Sequence, residues 1–557
     1  MSRPIFPWER SYPQNVRWDS PIKTTTLPQL LDDAVAAFGD SPAIEYRDKR
    51  ISFRELGRQA DAMAAALIGS VASRDEAVAL YLPNTPYHPY AFFGAAKAGI
   101  RLAHLSPLDA ERELAHKLHD SGARTLVTTN LAGMLPMALK LLDSGHVDRV
   151  IVGEDAVWGP SPAPVMPIPE RPGVISFEAF TRDAAPPAQW PSVAPEDIAL
   201  LQYTGGTTGI PKGAILTHAN LTAAVAMYEA WFSPQLNTPP GAQKVICVLP
   251  LFHIYALTTI LLRQIKNGNE ILLRLRFDPE TTLRDIEVKR ASAFPGVPTM
   301  WIALANYPGL EKRDFSSLIH CSSGGAPLPV EVAERLKRLT GQNLLGGWGM
   351  TETSPAGTNI PLKGPPKPGT IGIPMPGVEL DIVSLDEPRR LLGIGEIGEL
   401  RIRGPNISRG YWNKPKETAE AFTEGGLLTG DIGYMDEDGY FFIVDRRKDM
   451  IISGGFNVYP QVIEQAVYEH PQVEEAAVIG VPDSYRGEAA KVFVKLKAGA
   501  SGFTLEELQA FLADKIGKHE MPTALEIRDA LPRTSVGKLS KVELREAERS
   551  GLQSAAP

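Results

Sequence analysis

Residues 203–213, which read YTGGTTGIPKG, combine residue types that bind phosphate groups. Glycines let backbone N–H groups approach an anion, threonine hydroxyls donate hydrogen bonds, and a lysine adds positive charge. Apolar residues 198–202 and 214–217 predict a strand on each side, so this is not a Walker A loop, which a helix follows. The pattern predicts a polyphosphate site formed by Thr204, Gly205, Gly206, Thr207, Thr208, Gly209 and Lys212.

Other patterns do not form convincing sites. Residues 393–398 fit GxGxxG, but the strand-like ELRIRG follows them, and a dinucleotide site needs a helix there, so we predict a turn. His116 and His119 lie one helical turn apart without HExxH spacing, and we predict a solvated or capping role for them. The sequence has no GxSxG elbow and no CxxC pair, the usual signatures of hydrolases and thiol-redox proteins.

Composition sets wider limits. The 557 residues suggest three or four domains, and 57 basic against 65 acidic residues give a net charge of −8. This acidic balance provides no general attraction for nucleic acid. Cys247 and Cys321 are too few for a disulfide framework or a zinc site. The start lacks the apolar core of a signal peptide, and no stretch has the ~18 apolar residues of a membrane span. We therefore expect a cytoplasmic enzyme.

The order of predicted elements indicates an α/β fold with two bodies. Helix 111–121 alternates with strands 125–128 and 150–152, as in layered α/β units, and alternating runs at 379–383 and 399–403 predict a β-rich subdomain. We predict a large composite N-terminal domain over residues 1–445 and a small mobile α+β domain over 446–557. Further predicted features are an exposed connection at 159–195, a long loop at 363–377, a solvated hinge at 445–449, a helix at 460–470, and strands at 475–481 and 491–496.

Six further motifs follow the phosphate loop. They are LPLFHIYAL from Leu249, SSGGAPL from Ser322, GWGMTETSP from Gly347, TGD from Thr429, DRRKDMIISGGFNVYP from Asp445 and PRTSVGKLSK from Pro532. In content and order, over nearly the whole chain, they resemble the adenylate-forming superfamily of acyl-CoA synthetases, luciferases and peptide-synthetase adenylation domains. GFNVYP, LPLFHIYAL and the DFSSL at Asp314 are most similar to bacterial medium- and long-chain fatty acyl-CoA synthetases.

The resemblance implies a two-step reaction. A carboxylic acid and ATP give acyl-AMP and pyrophosphate, and the thiol of coenzyme A then displaces AMP. The expected substrate is a medium- or long-chain fatty acid, and a dicarboxylic (pimelate-like) or aryl acid stays as an alternative. A carrier protein or an oxidant could also replace coenzyme A in the second step. A non-catalytic nucleotide- or acyl-binding protein is the alternative of another class, but it would be expected to lose Glu352, Asp431 or Lys538.

The resemblance also implies roles at the nucleotide. The loop from Thr204 to Lys212 would hold the β- and γ-phosphates, Thr351 would contact phosphate, and Glu352 would bind Mg²⁺. The ribose would be bound by Asp431 and Arg446. Adenine would lie against Gly324, Gly325 and Ala326, with Trp348 as an aromatic cover where many relatives carry tyrosine.

The remaining implied roles concern the two half-reactions. Lys538 would contact the carboxylate and the α-phosphate, and Lys448 would be the hinge for rotation of the C-terminal domain. Gly454 and Gly455 would line the path of the pantetheine arm, and His253 would gate the thiol. The acidic charge balance predicts no nucleic-acid partner. A lipid substrate would allow peripheral membrane contact, and a lysine acyltransferase acting on Lys538 would provide control by removing its positive charge.

Overall fold

The computed structural model describes residues 5–70, 76–204, 211–325, 330–364, 367–453, 456–483, 485–534 and 539–554. Within these ranges the strands are β1 Pro42–Tyr46, β2 Lys49–Ser52, β3 Ala77–Leu80, β4 Leu102–His104, β5 Ala123–Thr129, β6 Arg149–Gly153, β7 Val174–Ser176, β8 Ile198–Thr204, β9 Lys212–Thr217, β10 Lys244–Cys247, β11 Glu270–Leu273, β12 Ala293–Gly296, β13 His320–Ser323, β14 Leu344–Trp348, β15 Thr358–Asn359, β16 Ile373–Pro374, β17 Glu379–Val383, β18 Gly398–Arg403, β19 Phe422–Thr423, β20 Gly426–Met435, β21 Phe441–Arg446, β22 Ile451–Ser453, β23 Phe456–Val458, β24 Val473–Asp483, β25 Gly487–Leu496 and β26 Ala524–Ile527.

The α-helices of the same ranges are α1 Leu27–Phe38, α2 Phe53–Ile68, α3 Tyr87–Lys97, α4 Glu111–Ser121, α5 Leu135–Asp143, α6 Phe177–Arg182, α7 His218–Leu236, α8 Ile254–Ala256, α9 Arg263–Lys266, α10 Pro279–Glu287, α11 Pro298–Ala305, α12 Val330–Thr340, α13 Pro415–Ala421, α14 Pro460–Tyr468, α15 Leu505–Leu512 and α16 Lys541–Ser554. A π-helical stretch, Leu257–Leu262, joins α8 to α9. No helix in the described ranges combines the length and apolar composition that a membrane crossing requires.

Two mainly parallel sheets form the large layered part. One has the order β7-β6-β5-β3-β4-β8-β9, and the other has the order β16-β15-β14-β13-β12-β10-β11-β1-β2. Val78 and Leu200 of the first sheet and Val245 and Ile271 of the second belong to one buried apolar cluster. The predicted layered α/β architecture is therefore confirmed, with a common core joining the two sheets.

The hairpin β8–β9 positions the predicted phosphate loop. Its strands pair antiparallel, and Thr204 opposite Lys212 is the last pair before the loop. Residues 205–210 between them lie outside the described ranges. The two ends of the loop are thus fixed on a sheet, a rigid support for a binding site.

The β-rich subdomain is also confirmed, as an antiparallel sheet of order β17-β18-β20-β19, with β21 paired to β20. The GxGxxG segment at 393–398 leads into β18 as a turn, where the Gly395 N–H donates to the Met435 carbonyl oxygen.

His119 is exposed on α4, as predicted, whereas His116 is half-buried, with Nε2 3.4 Å from the carbonyl oxygen of Pro211.

The C-terminal α+β unit is built on a sheet of order β23-β22-β25-β24, with β26 paired to β25. The predicted strands lie within β24 and β25, and the predicted helix is α14, which ends two residues earlier than expected. The prediction that residues 445–449 form a solvated hinge is wrong for Asp445, which is 3% exposed. Its Oδ2 accepts from the N–H of Gln461 at 2.8 Å, because a carboxylate is favourable at the start of a helix.

The predicted exposed connection at 159–195 is largely confirmed, whereas the predicted long loop at 363–377 includes the short strand β16 and is buried over residues 372–376. Most residues between 159 and 195 are exposed or half-buried, but the segment includes β7, at the edge of its sheet, and the short α6. Cys247 and Cys321 are buried free thiols.

Buried histidines predict a loss of stability in mild acid. Burial lowers the pKa of His104 and His218 to about 4 and that of His320 to about 3. Below pH ~6.5 the unfolded chain takes up protons that the folded chain cannot bind, so each histidine removes up to about 1.4 kcal/mol per pH unit as pH falls toward its folded pKa. Urea unfolding from pH 6.5 to 5 should show this slope.

A variant at one buried histidine separates the stability loss due to histidine protonation from the loss due to carboxylate protonation. His104→Asn should flatten the slope, whereas His119→Asn, at an exposed position, should leave it unchanged. Equal slopes for all three proteins would contradict the assignment.

Candidate functional site

The described ends of the predicted phosphate loop lie beside an aromatic ring. The Thr204 hydroxyl lies 3.5 Å from the Lys212 carbonyl oxygen, closing the hairpin. The Lys212 ammonium lies 5.3 Å from the ring centroid of Tyr411, within cation–π range. Gly205, Gly206, Thr207, Thr208 and Gly209 lie outside the described ranges.

Glu352 is a buried carboxylate on a 3₁₀ turn, Thr351–Thr353. It is 5% exposed, and its Oε1 accepts a hydrogen bond of 2.7 Å from the Tyr411 hydroxyl. Burial raises the pKa of Glu352, and the Tyr411 hydrogen bond opposes this increase. Thr351, half-buried, begins the same turn, so the two residues predicted to face phosphate and metal are adjacent.

Tyr411 connects the two charged groups. Its hydroxyl binds Glu352 while its ring faces Lys212, and it lies 59 residues from Glu352 in the chain. The backbone N–H of the neighbouring Trp412 donates to the Gly213 carbonyl oxygen at 2.8 Å, and this hydrogen bond holds the segment alongside β9. The sequence analysis missed Tyr411, because a tyrosine in a GYW tripeptide shows no spacing that would mark it as a site residue.

Removing the Tyr411 hydroxyl should weaken the site without unfolding it. Tyr411→Phe keeps the ring beneath Lys212 and removes the donor to Glu352. Loss of a group that orients a metal ligand typically costs about 10–100-fold in metal affinity. We expect the Mg²⁺ concentration for half-maximal pyrophosphate release to rise by about tenfold or more.

The matched control is Tyr87→Phe, which removes a hydroxyl bonded at 2.9 Å to the Glu154 carbonyl oxygen elsewhere in the fold. That variant should keep the wild-type Mg²⁺ dependence. Equal Mg²⁺ dependence in both variants would show that the Tyr411 hydroxyl does not orient Glu352 for metal binding.

A second cluster surrounds Asp431. Strands β20 and β21 pair Asp431 with Arg446, and Asp431 Oδ1 lies 2.6 Å from Arg446 Nε. The indole N–H of Trp348 donates to the other carboxylate oxygen at 2.8 Å. Since the Asp431 side chain is 2% exposed, these two donors fix its orientation. Trp348 thus donates a hydrogen bond directly to the carboxylate that is predicted to bind ribose. A tyrosine at this position would place its hydroxyl donor differently.

The predicted adenine segment begins where β13 ends. A Cβ at Gly324 would lie 2.9 Å from the Tyr255 ring, and Gly325 has φ +80°, in the left-handed region that favours glycine. His253 precedes α8, and its Nδ1 accepts from the Tyr255 N–H at 3.2 Å. Tyr255 therefore connects His253 with Gly324, while Ala326 lies outside the described ranges.

The residues predicted for the second half-reaction are only partly described. Lys448 is exposed in the turn between β21 and β22. Gly454 and Gly455, between β22 and β23, and Lys538 lie outside the described ranges. The base of the Lys538 segment is described, where an isolated bridge pairs Arg533 with Leu539.

The donor set fits magnesium. Mg²⁺ is usually held by one or two carboxylates together with water and substrate phosphates. Glu352 provides a buried carboxylate, and the described ranges contain no group of three His, Cys, Asp or Glu side chains arranged as a metal cage. Glu352 would therefore hold the ion together with the phosphates of its nucleotide.

Comparison with known families gives two matches. The family described as "AMP-binding enzyme" matches residues 31–412, and the one described as "AMP-binding enzyme C-terminal domain" matches residues 462–538.

Similar proteins extend over the whole chain. A long-chain-fatty-acid–CoA ligase of Bacillus subtilis is 39% identical over 97% of this chain and 98% of its own length. Another from Escherichia coli O157:H7 is 37% identical over 99% of both chains. Among solved structures, ATP-bound MatB from Rhodopseudomonas palustris is 28% identical with a TM-score of 0.82, covering 94% of this chain and 99% of its own.

Proposed function

Since the chain belongs to the AMP-binding enzyme family, we propose that it joins a medium- or long-chain fatty acid to ATP, forming acyl-AMP and pyrophosphate, and then transfers the acyl group to coenzyme A. It is thus an AMP-forming acid–thiol ligase. The two relatives named as fatty acid ligases, 37–39% identical along the chain, favour a fatty acid over a dicarboxylic or aryl acid. The observation that carries the proposal is the joined cluster of Lys212, Tyr411 and Glu352.

In the first step, two anions must approach each other. Lys212 and the loop preceding it would neutralise the terminal phosphates, and Glu352 would hold the magnesium ion that supplies further positive charge. Asp431 would accept from the ribose hydroxyls, with its carboxylate already oriented by Trp348 and Arg446. Lys538 would contact the carboxylate and the α-phosphate where charge develops.

In the second step, the same nucleotide pocket would receive coenzyme A. We assign residues 1–445 to the body that keeps the nucleotide and 446–557 to a mobile domain that turns about Lys448. This turn would withdraw Lys538 and bring Gly454 and Gly455 beside the pantetheine arm, while His253 gates the thiol. The exposed position of Lys448 between two strands is compatible with a hinge.

The proposal is tested by measuring AMP formation with purified protein, ATP, Mg²⁺ and coenzyme A across C2 to C18 monoacids, dicarboxylates and benzoates. We expect AMP release to depend on both a fatty acid and coenzyme A. Turnover only with benzoates or dicarboxylates would reassign the substrate, and absence of turnover with every acid would support a binding protein.

Three finer proposals accompany this function. The low cysteine content suits the cytoplasm, and a fatty substrate could bring the protein to a membrane surface. Acylation of Lys538 by a lysine acyltransferase would stop the first step by removing a positive charge. Pyrophosphate release by a homogeneously Lys538-acetylated protein tests the last proposal, and an unchanged rate would count against it.

A further inference from the structure

One face of β13 leads away from the predicted nucleotide site. His320, Ser322 and Gly324 alternate along the chain, so they lie on the same side of the strand. Cys321, between them, packs into a buried cluster on the opposite side. The distance from Gly324 to His320 along the strand is about 13 Å at the usual rise.

A helical face runs beside that strand. Tyr255, Thr259 and Arg263 are spaced four residues apart, and the Tyr255 hydroxyl lies 3.3 Å from Ser322 Oγ. Residues Leu257–Leu262 between them are π-helical, and the far end of this face meets the far end of the strand face, where Arg263 and His320 both contact Phe232. Arg263 therefore lies at the end farthest from Gly324.

Helix α7 closes the third side with aromatic rings. Tyr228 and Phe232 stack with ring centroids 6.1 Å apart, and Phe232 contacts the His320 ring at 4.9 Å. The Arg263 guanidinium lies 4.6 Å from the centroid of Phe232. The strand, the helix and α7 thus meet along a mainly aromatic column, which we define by Gly324, Tyr255, Tyr228, Phe232 and His320.

A buried ion pair ends the column. Arg263 Nε lies 2.8 Å from Glu229 Oε1, with side chains 8% and 17% exposed. Asn267 donates to the same oxygen at 2.7 Å, and the Ser233 hydroxyl donates to Glu229 Oε2 at 2.9 Å. Separating two buried charges is strongly unfavourable, so this end resists being pushed open.

We propose that the acyl chain occupies this column and that the Glu229–Arg263 pair fixes its end, so the preferred substrates are monocarboxylic acids of about eight to ten carbons, as the ~13 Å length of the strand face allows. The proposal rests on the function proposed above and narrows its substrate class. The carboxylate lies toward His253 and Gly324, the Tyr255 ring moves aside to admit the chain, and the methyl end reaches Phe232 and His320.

The charge at the end of the column also excludes a class of acids. Glu229 neutralises Arg263, so the guanidinium offers no unpaired charge to a second carboxylate. A dicarboxylic acid would have to bury its far carboxylate beside Glu229, which is repulsive. The Glu229–Arg263 pair therefore favours acids whose chains fit the length of the column, and it disfavours acids with a charged group at the far end.

The first test removes the pair without leaving one charge unpaired. Arg263→Leu combined with Glu229→Leu should open the end of the column to apolar chains. Each further buried methylene adds about fourfold in kcat/KM, so the ratio of palmitate to octanoate should rise by about tenfold or more. Arg313→Leu with Glu287→Leu, an ion pair of 2.8 Å elsewhere in the fold, is the matched control and should keep the wild-type ratio.

The second test exposes the arginine charge. Glu229→Gln keeps the shape of the side chain and leaves Arg263 uncompensated, so a C10 dicarboxylate should gain about tenfold or more in kcat/KM relative to decanoate. An unchanged palmitate-to-octanoate ratio in an active double variant overturns the proposal. If the double variant does not fold, the absence of a dicarboxylate gain in Glu229→Gln overturns it instead. These two outcomes can be told apart from a failure of the proposed function itself, because in that case the wild-type protein would activate no acid.

Discussion

Lys538→Ala should abolish formation of acyl-AMP from fatty acid and ATP while leaving transfer to coenzyme A from supplied acyl-AMP almost intact. The lysine would face the carboxylate and the α-phosphate only during the first step, and removal of one preorganised donor to developing charge costs about 10²–10³ in rate. Pyrophosphate release measures the first half-reaction, and acyl-CoA formation from synthetic acyl-AMP measures the second.

The control for this prediction is Lys518→Ala, at an exposed lysine of the same C-terminal unit. It should leave both half-reactions unchanged. Equal losses in both half-reactions of Lys538→Ala would mean that the lysine acts in a single fixed arrangement, and the assignment of two domain positions would be wrong.

Glu352→Gln should nearly eliminate ATP-dependent activity and leave the protein at least as stable as the wild type. The amide lacks the negative charge with which the carboxylate would hold Mg²⁺, and we expect pyrophosphate release to fall by about 10²-fold or more. Burial disfavours the charged form of Glu352, so a neutral amide that keeps the Tyr411 hydrogen bond relieves this cost. Turnover and urea unfolding of one preparation measure both effects.

A buried glutamate outside the site should behave in the opposite way. Glu270, whose side chain is 5% exposed, pairs with Arg50 at 2.9 Å, so Glu270→Gln should lower stability and keep turnover. A Glu352→Gln protein that is less stable than wild type and still active would show that Glu352 supports the fold and not the metal.

Local patterns predicted much of the fold because local residues determine it. Helix α4 has the predicted bounds, and strand β17 begins and ends at the predicted residues 379 and 383. Periodicity of apolar residues fixes such elements directly. The ends of the phosphate loop, Thr204 and Lys212, could likewise be placed because the loop joins two adjacent strands.

Contacts between distant segments could not be predicted in this way. Trp348 and Asp431 are 83 residues apart, and their hydrogen bond depends on how two sheets meet. The pairing of Tyr411 with Glu352 is of the same kind. Asp445 was expected in solvent because its neighbours are charged, and it is buried because α14 begins beside it.

The central claim is that this chain forms an acyl-adenylate before coenzyme A takes part. The most direct measurement is exchange of labelled pyrophosphate into ATP, with purified protein, Mg²⁺ and octanoate or decanoate in the absence of coenzyme A. We predict exchange that requires the fatty acid, persists without coenzyme A and is lost in Glu352→Gln. Exchange that occurs without any acid, or only when coenzyme A is present, would contradict the account.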